Sequence, residues 1–442
     1  MNNLSIKIVL LLTLFSAQFL NAQEINRDKL DKFFSAIEEN NEGSGSVAIM
    51  KDGKLLYQNT YGFKNYEDSL RPTVNTQFRI GSITKTFTAS LIMMAVEEGE
   101  LELNNKLSTY YPDFENSDSI TITHLLQHRS GLYNFTNSPF FATYMTQEKT
   151  KEEMLTILQS GEIQFQPGEK YEYSNTGYVL LSFILEDVYN QPFEELLNEK
   201  IIEPLNLERT AFEKTINLND DEALSYIKTT EWIKAPVTNM SITMGAGAIS
   251  STAAETCKFF EHLFSGKLVS ENSLAKMTAM TDNYGYGLFS MPYNNDFVIG
   301  HTGGIDGFQA VSCYNPDDGL SVTVLCNAVS FSRNEILLGL LNAYYNKPYE
   351  IPDFKATVNV PEETLKAYVG LYTSESFPLD IEIKLVEGLL QAQATGQSAF
   401  PLTATDDSTF VFKPAGIKMI FDSPKNELKL EQAGRAFTLT KE

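Results

Sequence analysis

"GSVAIMKDGKLLYQNTYGF", residues 45–63, decides the architecture. Apolar residues flank Lys51-Asp52-Gly53 on both sides, and a short Asp-Gly step between two such runs is a hairpin turn. A short helical segment from Arg27 to Glu39 precedes these two strands. From Ser82 the period changes to helical, with Phe87, Leu91, Met94 and Ala95 on one face until Gly99 ends it. Further helical patterns run over Thr121–Gln127, Lys151–Ser160, Gly177–Tyr189 and Phe193–Ile202. Strand patterns return at Gly285–Met291, Phe297–His301, Phe308–Tyr314 and Ser321–Cys326, and a helix over Asn334–Tyr345 closes the series. Strands at both ends with helices between them predict an α+β domain. Its antiparallel sheet is built from both ends, a helical lobe packs beside it, and a ligand cleft lies at the junction.

Composition sets the context. The 442 residues are 43% hydrophobic and 21% charged, which suits a globular chain of two or three domains. The formal net charge of -23 repels phosphate backbones and anionic lipid, so nucleic-acid binding and strong membrane association are not expected. Lys7 precedes an apolar run from Ile8 to Leu20 and a small residue, Ala22. That run falls short of the about 20 residues a membrane span takes, and reads as a signal peptide over residues 1–22. No cysteine stands near the cleavage point, so the mature chain is expected in the periplasm or secreted, without a lipid anchor. Cys257, Cys313 and Cys326 are odd in number and lack metal-ligand spacing, and are expected as buried free thiols.

The domain is expected over residues 23–346. Residues 347–361, within "NKPYEIPDFKATVNVP", carry prolines and no periodicity, as a linker does. Residues 362–442 read as uniformly β. Ile381, Ile383 and Leu385 alternate with charged residues, and turn signals recur, so a small barrel is expected.

Three short segments can carry chemistry. In "GSITKTFTAS", residues 81–90, Ser82 and Lys85 fall three apart at a helix start, so hydroxyl and amine share a face. Burial and the positive end of the helix lower a lysine's pKa and make it a base. The spacing alone is weak, since Ser225–Lys228 and Ser273–Lys276 repeat it. Tyr173-Ser174-Asn175 stands ahead of an apolar helix, where a tyrosine can relay a proton and an asparagine can bind a carbonyl. His301-Thr302-Gly303-Gly304 ends a strand, where glycines admit a substrate close to the backbone.

In this order the three segments resemble the serine β-lactamase and penicillin-binding-protein superfamily. The Tyr-Ser-Asn form is similar to the class C β-lactamase branch, with its D-alanyl-D-alanine carboxypeptidases and esterases. "ITITHLLQHRSGL", "IIEPLNLERTAF" and "GAGAISSTAAE" resemble that branch too. The resemblance implies Ser82 as acyl-accepting nucleophile, with Lys85 and Tyr173 as proton-transfer partners. It implies Asn175, His301, Thr302, Gly303 and Gly304 at the substrate, and the Ser82 and Gly304 amides as oxyanion hole. No cofactor or metal is implied. The last segment resembles a lipocalin-like barrel appended to this branch, where it covers part of the cleft or mediates assembly.

The third motif often begins with lysine in the family, and here it begins with His301. A histidine is mostly neutral above about pH 6.5 and offers a substrate carboxylate no fixed cation, which weighs against strong β-lactamase activity and D-alanyl-D-alanine recognition. Two other patterns are set aside. Glu194-x-x-Leu197-Asn198 lies in an amphipathic helix and follows Asn175 too closely to activate a deacylating water. His124 and His128 have zinc-pair spacing but no third ligand. The expected activity is an exported serine hydrolase on a small-molecule or peptide substrate, of carboxypeptidase, D-aminopeptidase or esterase type. The alternatives are a true β-lactamase, or a ligand sensor or scaffold that has lost turnover.

Overall fold

The computed structural model describes residues 25–442, apart from 213, 214, 295, 355–357, 359, 387, 398, 413, 414 and 433. The expected signal peptide lies outside the described residues.

The hairpin forms as read. Gly43–Lys51 pairs antiparallel with Lys54–Tyr61 around the Asp52-Gly53 turn. Gly43–Lys51 then pairs antiparallel with Leu320–Val329, so the two ends of the domain meet at the centre of one sheet. The order runs from Lys54–Tyr61 through Gly43–Lys51, Leu320–Val329, Phe308–Asn315 and Asp296–Ile305 to Phe289–Tyr293. A small hairpin, Tyr226–Lys228 with Trp232–Lys234, adds to it through one parallel contact at Ala328. Cys313 sits opposite Val322 and Cys326 opposite Gln309, so the two thiols are far apart in register. All three cysteines are buried and free.

Each sheet face has its own apolar core. Helices Arg27–Glu39 and Arg333–Tyr344 cover one, with Phe34, Val47, Val322 and Leu340 fully packed between them. The helical lobe covers the other, where Phe87 stacks on Phe259 with ring centroids 3.5 Å apart. The helix Thr84–Glu98 is buried on nearly every side, including Ile92 and Met93 beyond the single expected face. A helix apolar all round belongs inside a protein, and this one is the post on which the site is built.

Some boundaries differ from the sequence reading. The strand expected at Gly285 begins at Phe289, because residues before it turn over the buried helix and the Gly287 carbonyl accepts from Thr86 Oγ1 at 2.6 Å. The stretch Phe193–Ile202 is a helix only to Leu197, with a wider π turn over Asn198–Ile202. The segment after residue 361 is not uniformly β. It begins with a helix, Glu362–Tyr368, whose Leu365 and Tyr368 are buried against the strands. Those strands form a nine-stranded sheet from Phe400–Pro401 round to Thr403–Ala404. Only Leu402 separates the two edge strands in sequence, so the sheet is a nearly closed barrel. It lies beside the terminal helices, with Phe331 and Leu338 facing Val411 and Lys418 across a cavity of about 660 Å³. No described barrel residue lines either cavity that Ser82 borders, so the expected cover over the cleft is not formed by these residues.

Candidate active site

Ser82 sits in a 3-10 turn, Gly81–Ile83, that feeds directly into the buried helix. This turn packs against the end of the strand Asp296–Ile305. A side chain at Gly303 would bring its Cβ within 1.9 Å of the Ile80 carbonyl, and one at Gly81 within 2.8 Å of Gly304 N. Glycine is required at both because two backbones touch, and Gly81 also holds φ 52. That contact sets the Gly304 backbone beside Ser82.

Lys85, the second residue of the helix, is fully buried. Its Nζ lies 3.0 Å from Ser82 Oγ, and donates to Asn175 Oδ1 at 2.8 Å and to the Ala246 carbonyl at 2.8 Å. Burial holds its pKa well below the usual lysine value, and no described carboxylate is ion-paired with it to oppose that. A neutral amine has two N–H groups and one lone pair. Asn175 and Ala246 accept the two hydrogens, which leaves the lone pair for the Ser82 proton.

The second motif is clamped from outside. Asn175 N donates to Asn134 Oδ1 at 3.0 Å and Asn175 Nδ2 to Thr136 Oγ1 at 3.0 Å, which fixes its oxygen toward Lys85. Ser174 N donates to His128 Nδ1 at 3.2 Å. The His128 ring lies against Tyr173, with centroids 4.2 Å apart. Burial raises the Tyr173 phenol well above its usual value, and a hydrogen bond with Ser82 works in the opposite direction. Tyr173 therefore stays protonated and its ring lies 4.9 Å from Lys85 Nζ.

His301 is buried and turned inward. Its Nδ1 faces the Thr302 carbonyl at 2.5 Å and so carries the proton, and its Nε2 accepts from Tyr284 Oη at 3.2 Å. Burial is the main cause that holds its pKa down to about 3. His301 is a neutral residue throughout the ordinary pH range. Thr302, Gly303 and Gly304 border Ser82 in a cavity of about 620 Å³ that Tyr173 also lines. A second cavity of about 190 Å³ lies on the helical-lobe side of Ser82, among Asn175, Phe135, Phe141 and Met145. Seven of the eight residues singled out in the sequence thus line two cavities that meet at Ser82, and the eighth, Lys85, is buried behind them in contact with Ser82 Oγ.

Other features escaped the sequence reading. Asp306, one turn beyond the third motif at φ 55, accepts from Thr238 N and Oγ1 and from Arg79 Nη1, which is 3.1 Å away. Both side chains are almost inaccessible, at 1% for Arg79 and 0% for Asp306, and Asp306 borders both cavities. Asp306 was visible in "GGIDGF", but nothing local ties it to Arg79, 227 residues away. The Ala246 carbonyl, in "GAGAISS", is a backbone contact with no side-chain signal. The set-aside patterns stay apart. Glu194 lies in the helix Phe193–Leu197 and borders neither cavity. His124 Nδ1 accepts from Thr121 N in a helix cap, and the described residues contain no cluster able to hold a metal ion.

The Beta-lactamase family profile matches residues 30–343. Among curated relatives, the putative penicillin-binding protein PbpX of Bacillus subtilis is 26% identical over 313 residues, covering 70% of this chain and 75% of that one. Among solved structures, the octameric penicillin-binding protein homologue from Pyrococcus abyssi is similar with a TM-score of 0.68 and 25% identity, over 94% of this chain and 100% of that one. The D-amino acid amidase from Ochrobactrum anthropi SV3 shares the fold, with a TM-score of 0.62 and 24% identity over 72% of this chain and 99% of that one.

Proposed function

The chain belongs to the beta-lactamase family, and on that premise we propose that it is an exported serine hydrolase that forms an acyl-enzyme on Ser82 with an amide, peptide or ester. One observation carries the reading. A fully buried lysine, with both N–H groups engaged, presents its remaining valence to Ser82 Oγ at 3.0 Å. Lys85 takes the Ser82 proton as the oxygen attacks the carbonyl carbon. The amides of Ser82 and Gly304 hold the oxyanion, aided by the positive end of the helix. Tyr173 passes a proton to the departing nitrogen or oxygen as its bond to the acyl carbon breaks, and regains the proton that Lys85 took from Ser82, the Lys85 Nζ lying 4.9 Å from its ring. Asn175 holds the acyl group, and water then cleaves the ester on Ser82.

Activity on an amide agrees with the fold shared with a D-amino acid amidase. The reading takes residues 1–22 as a cleaved signal peptide and places the mature protein in the periplasm or outside the cell. The hydrolase unit is 23–346, joined by 347–361 to the barrel at 362–442. The reading takes a small molecule or peptide as substrate, with no nucleic-acid partner and no strong membrane association. The test is a screen of p-nitrophenyl esters, D-amino-acid peptides and amides, and nitrocefin, on the wild-type and Ser82→Ala chains. Turnover of at least one class that Ser82→Ala abolishes is expected. Equal turnover by both chains contradicts the proposal. Acylation without release moves the reading to a sensor.

A further inference from the structure

Proton delivery to the leaving group depends on where the Tyr173 phenol stands. Tyr173 lies in a loop ahead of the helix Asn175–Tyr189, so no helical ladder of its own holds it. The loop leans instead on one short segment of the helical lobe. Gln164 N donates to the Gly131 carbonyl at 2.8 Å, Gly168 N to the Arg129 carbonyl at 2.8 Å, and Glu172 N to the His128 carbonyl at 2.9 Å. On the other side of Tyr173, Ser174 N donates to His128 Nδ1 at 3.2 Å. Tyr173 thus stands between two hydrogen bonds to a single residue, one to its backbone and one to its ring.

His128 is 1% exposed and holds φ 56, in the left-handed region that carries a steric cost for a side chain. Its ring centroid lies 4.2 Å from that of Tyr173, with Tyr284 and Tyr178 next at 4.6 and 5.1 Å. In a neutral imidazole, a nitrogen that accepts from an amide leaves the proton on the other one. Burial holds the His128 pKa well below the usual histidine value, so the neutral ring is the form present. Its Nε2–H has no hydrogen-bond partner among the described residues. Burying an unpaired N–H is costly, and an apolar residue would fill the same space without that cost. With Nδ1 taken by Ser174 and Nε2 protonated, the ring keeps no lone pair for the Tyr173 proton. It acts on Tyr173 by contact and not by proton exchange.

We infer that His128 is a positioning residue that fixes the Tyr173 phenol at Ser82 and so sets the rate of proton delivery to the leaving group. The inference rests on the reading of Tyr173 as the leaving-group acid of a Ser82 acyl-enzyme. No bond to His128 forms or breaks during the reaction.

The test compares p-nitrophenyl and phenyl acetate, whose leaving groups differ in their need for a proton. Tyr173→Phe should cost the phenyl ester about 10²-fold more in kcat/KM than the nitrophenyl ester, the low end for a lost general acid. His128→Ala removes ring and acceptor together and should tilt the ratio the same way by about tenfold, part of what a misplaced catalytic group loses. His128→Asn keeps an oxygen to accept from Ser174 N and tolerates the left-handed region, so it should fall between His128→Ala and wild type. Added to Tyr173→Phe, His128→Ala should leave the ratio where it was, because the two act as one unit. Losses from folding alone lower both esters equally and cancel in the ratio. A ratio at the wild-type value in both His128 variants overturns the inference, as does a full further tilt in the Tyr173→Phe background.

A second arm needs no turnover. Tyrosine is labelled with carbon-13 at Cζ, and the Tyr173 line is the one absent from Tyr173→Phe. One sharp line is expected in wild type, and a broadened or split line in His128→Ala, as the phenol takes more than one position. A line that shifts but stays single and sharp overturns the positioning. If neither ester is turned over, or Tyr173→Phe leaves the ratio unmoved, the hydrolase reading or its acid fails, and this line alone decides for or against His128.

Discussion

At Ser82 the three-residue step to Lys85 crosses from a tight turn into a helix, whereas at Ser225 the same step to Lys228 runs along the strand Tyr226–Lys228. Residues three apart share a face of a helix and take opposite faces of a strand. Ser225 Oγ accepts from Gly307 N at 3.1 Å, and Lys228 Nζ donates to the Asn41 carbonyl at 2.7 Å from a half-buried position. The third copy, Ser273 and Lys276, is helical, but Glu97 bonds to Ser273 and faces Lys276. On the proposed reading, Ser82 and Lys85 differ from the other two pairs in having the helix, a buried lysine and no described carboxylate ion-paired with it.

That comparison can be broken in several ways. The largest effect is kinetic. Lys85→Ala should slow single-turnover acylation by about 10²–10⁴-fold, the range for a lost general base, while Lys228→Ala and Lys276→Ala leave it within about twofold. Stopped-flow acylation kinetics check this, with circular dichroism to show that all three variants fold. Equal rates for the three would erase the distinction.

The next effect concerns the floor of the cleft. Arg79→Met leaves Asp306 buried without its ion partner, and should cost about 3–5 kcal/mol in denaturant unfolding. Lys228→Ala, at a half-buried position with a hydrogen bond to the Asn41 carbonyl, should cost about 1 kcal/mol. The pH dependence follows. His301 has a folded pKa of about 3, so the unfolded chain binds a proton below about 6.5 that the folded chain refuses. Stability should therefore fall as pH drops from 6.5 toward 3, by about 1.4 kcal/mol per unit from this residue. In His301→Gln that share of the slope disappears from the pH series of unfolding midpoints. The smallest effect belongs to the decoy. Ser225→Ala removes one hydrogen bond to Gly307 and should cost about 1 kcal/mol of stability with no change in acylation.

Much of the frame was legible because its signals are local. Asp52-Gly53 between two apolar runs specifies a hairpin, and Gly99 ends the buried helix in a left-handed cap. The three motifs were readable for the same reason, since each sits at a turn or strand end with its own signature residues. The sequence could not reveal what crosses the chain. Arg79 meets Asp306, Lys85 meets Ala246, and Arg333 meets Gly303 only through tertiary packing. His301 was legible as a departure from the family pattern, but its inward turn toward Tyr284 was not. The helix Glu362–Tyr368 was missed because seven residues give too little periodicity to stand out from the strands that follow.

Peptide mass mapping of the chain after reaction with a fluorophosphonate probe tests the central claim most directly. The account predicts one adduct, on Ser82, forming faster as pH rises through a limb below the ordinary lysine value and absent from Ser82→Ala. An adduct on Ser225, Ser273 or another residue, or undiminished labelling of Ser82→Ala, would contradict it.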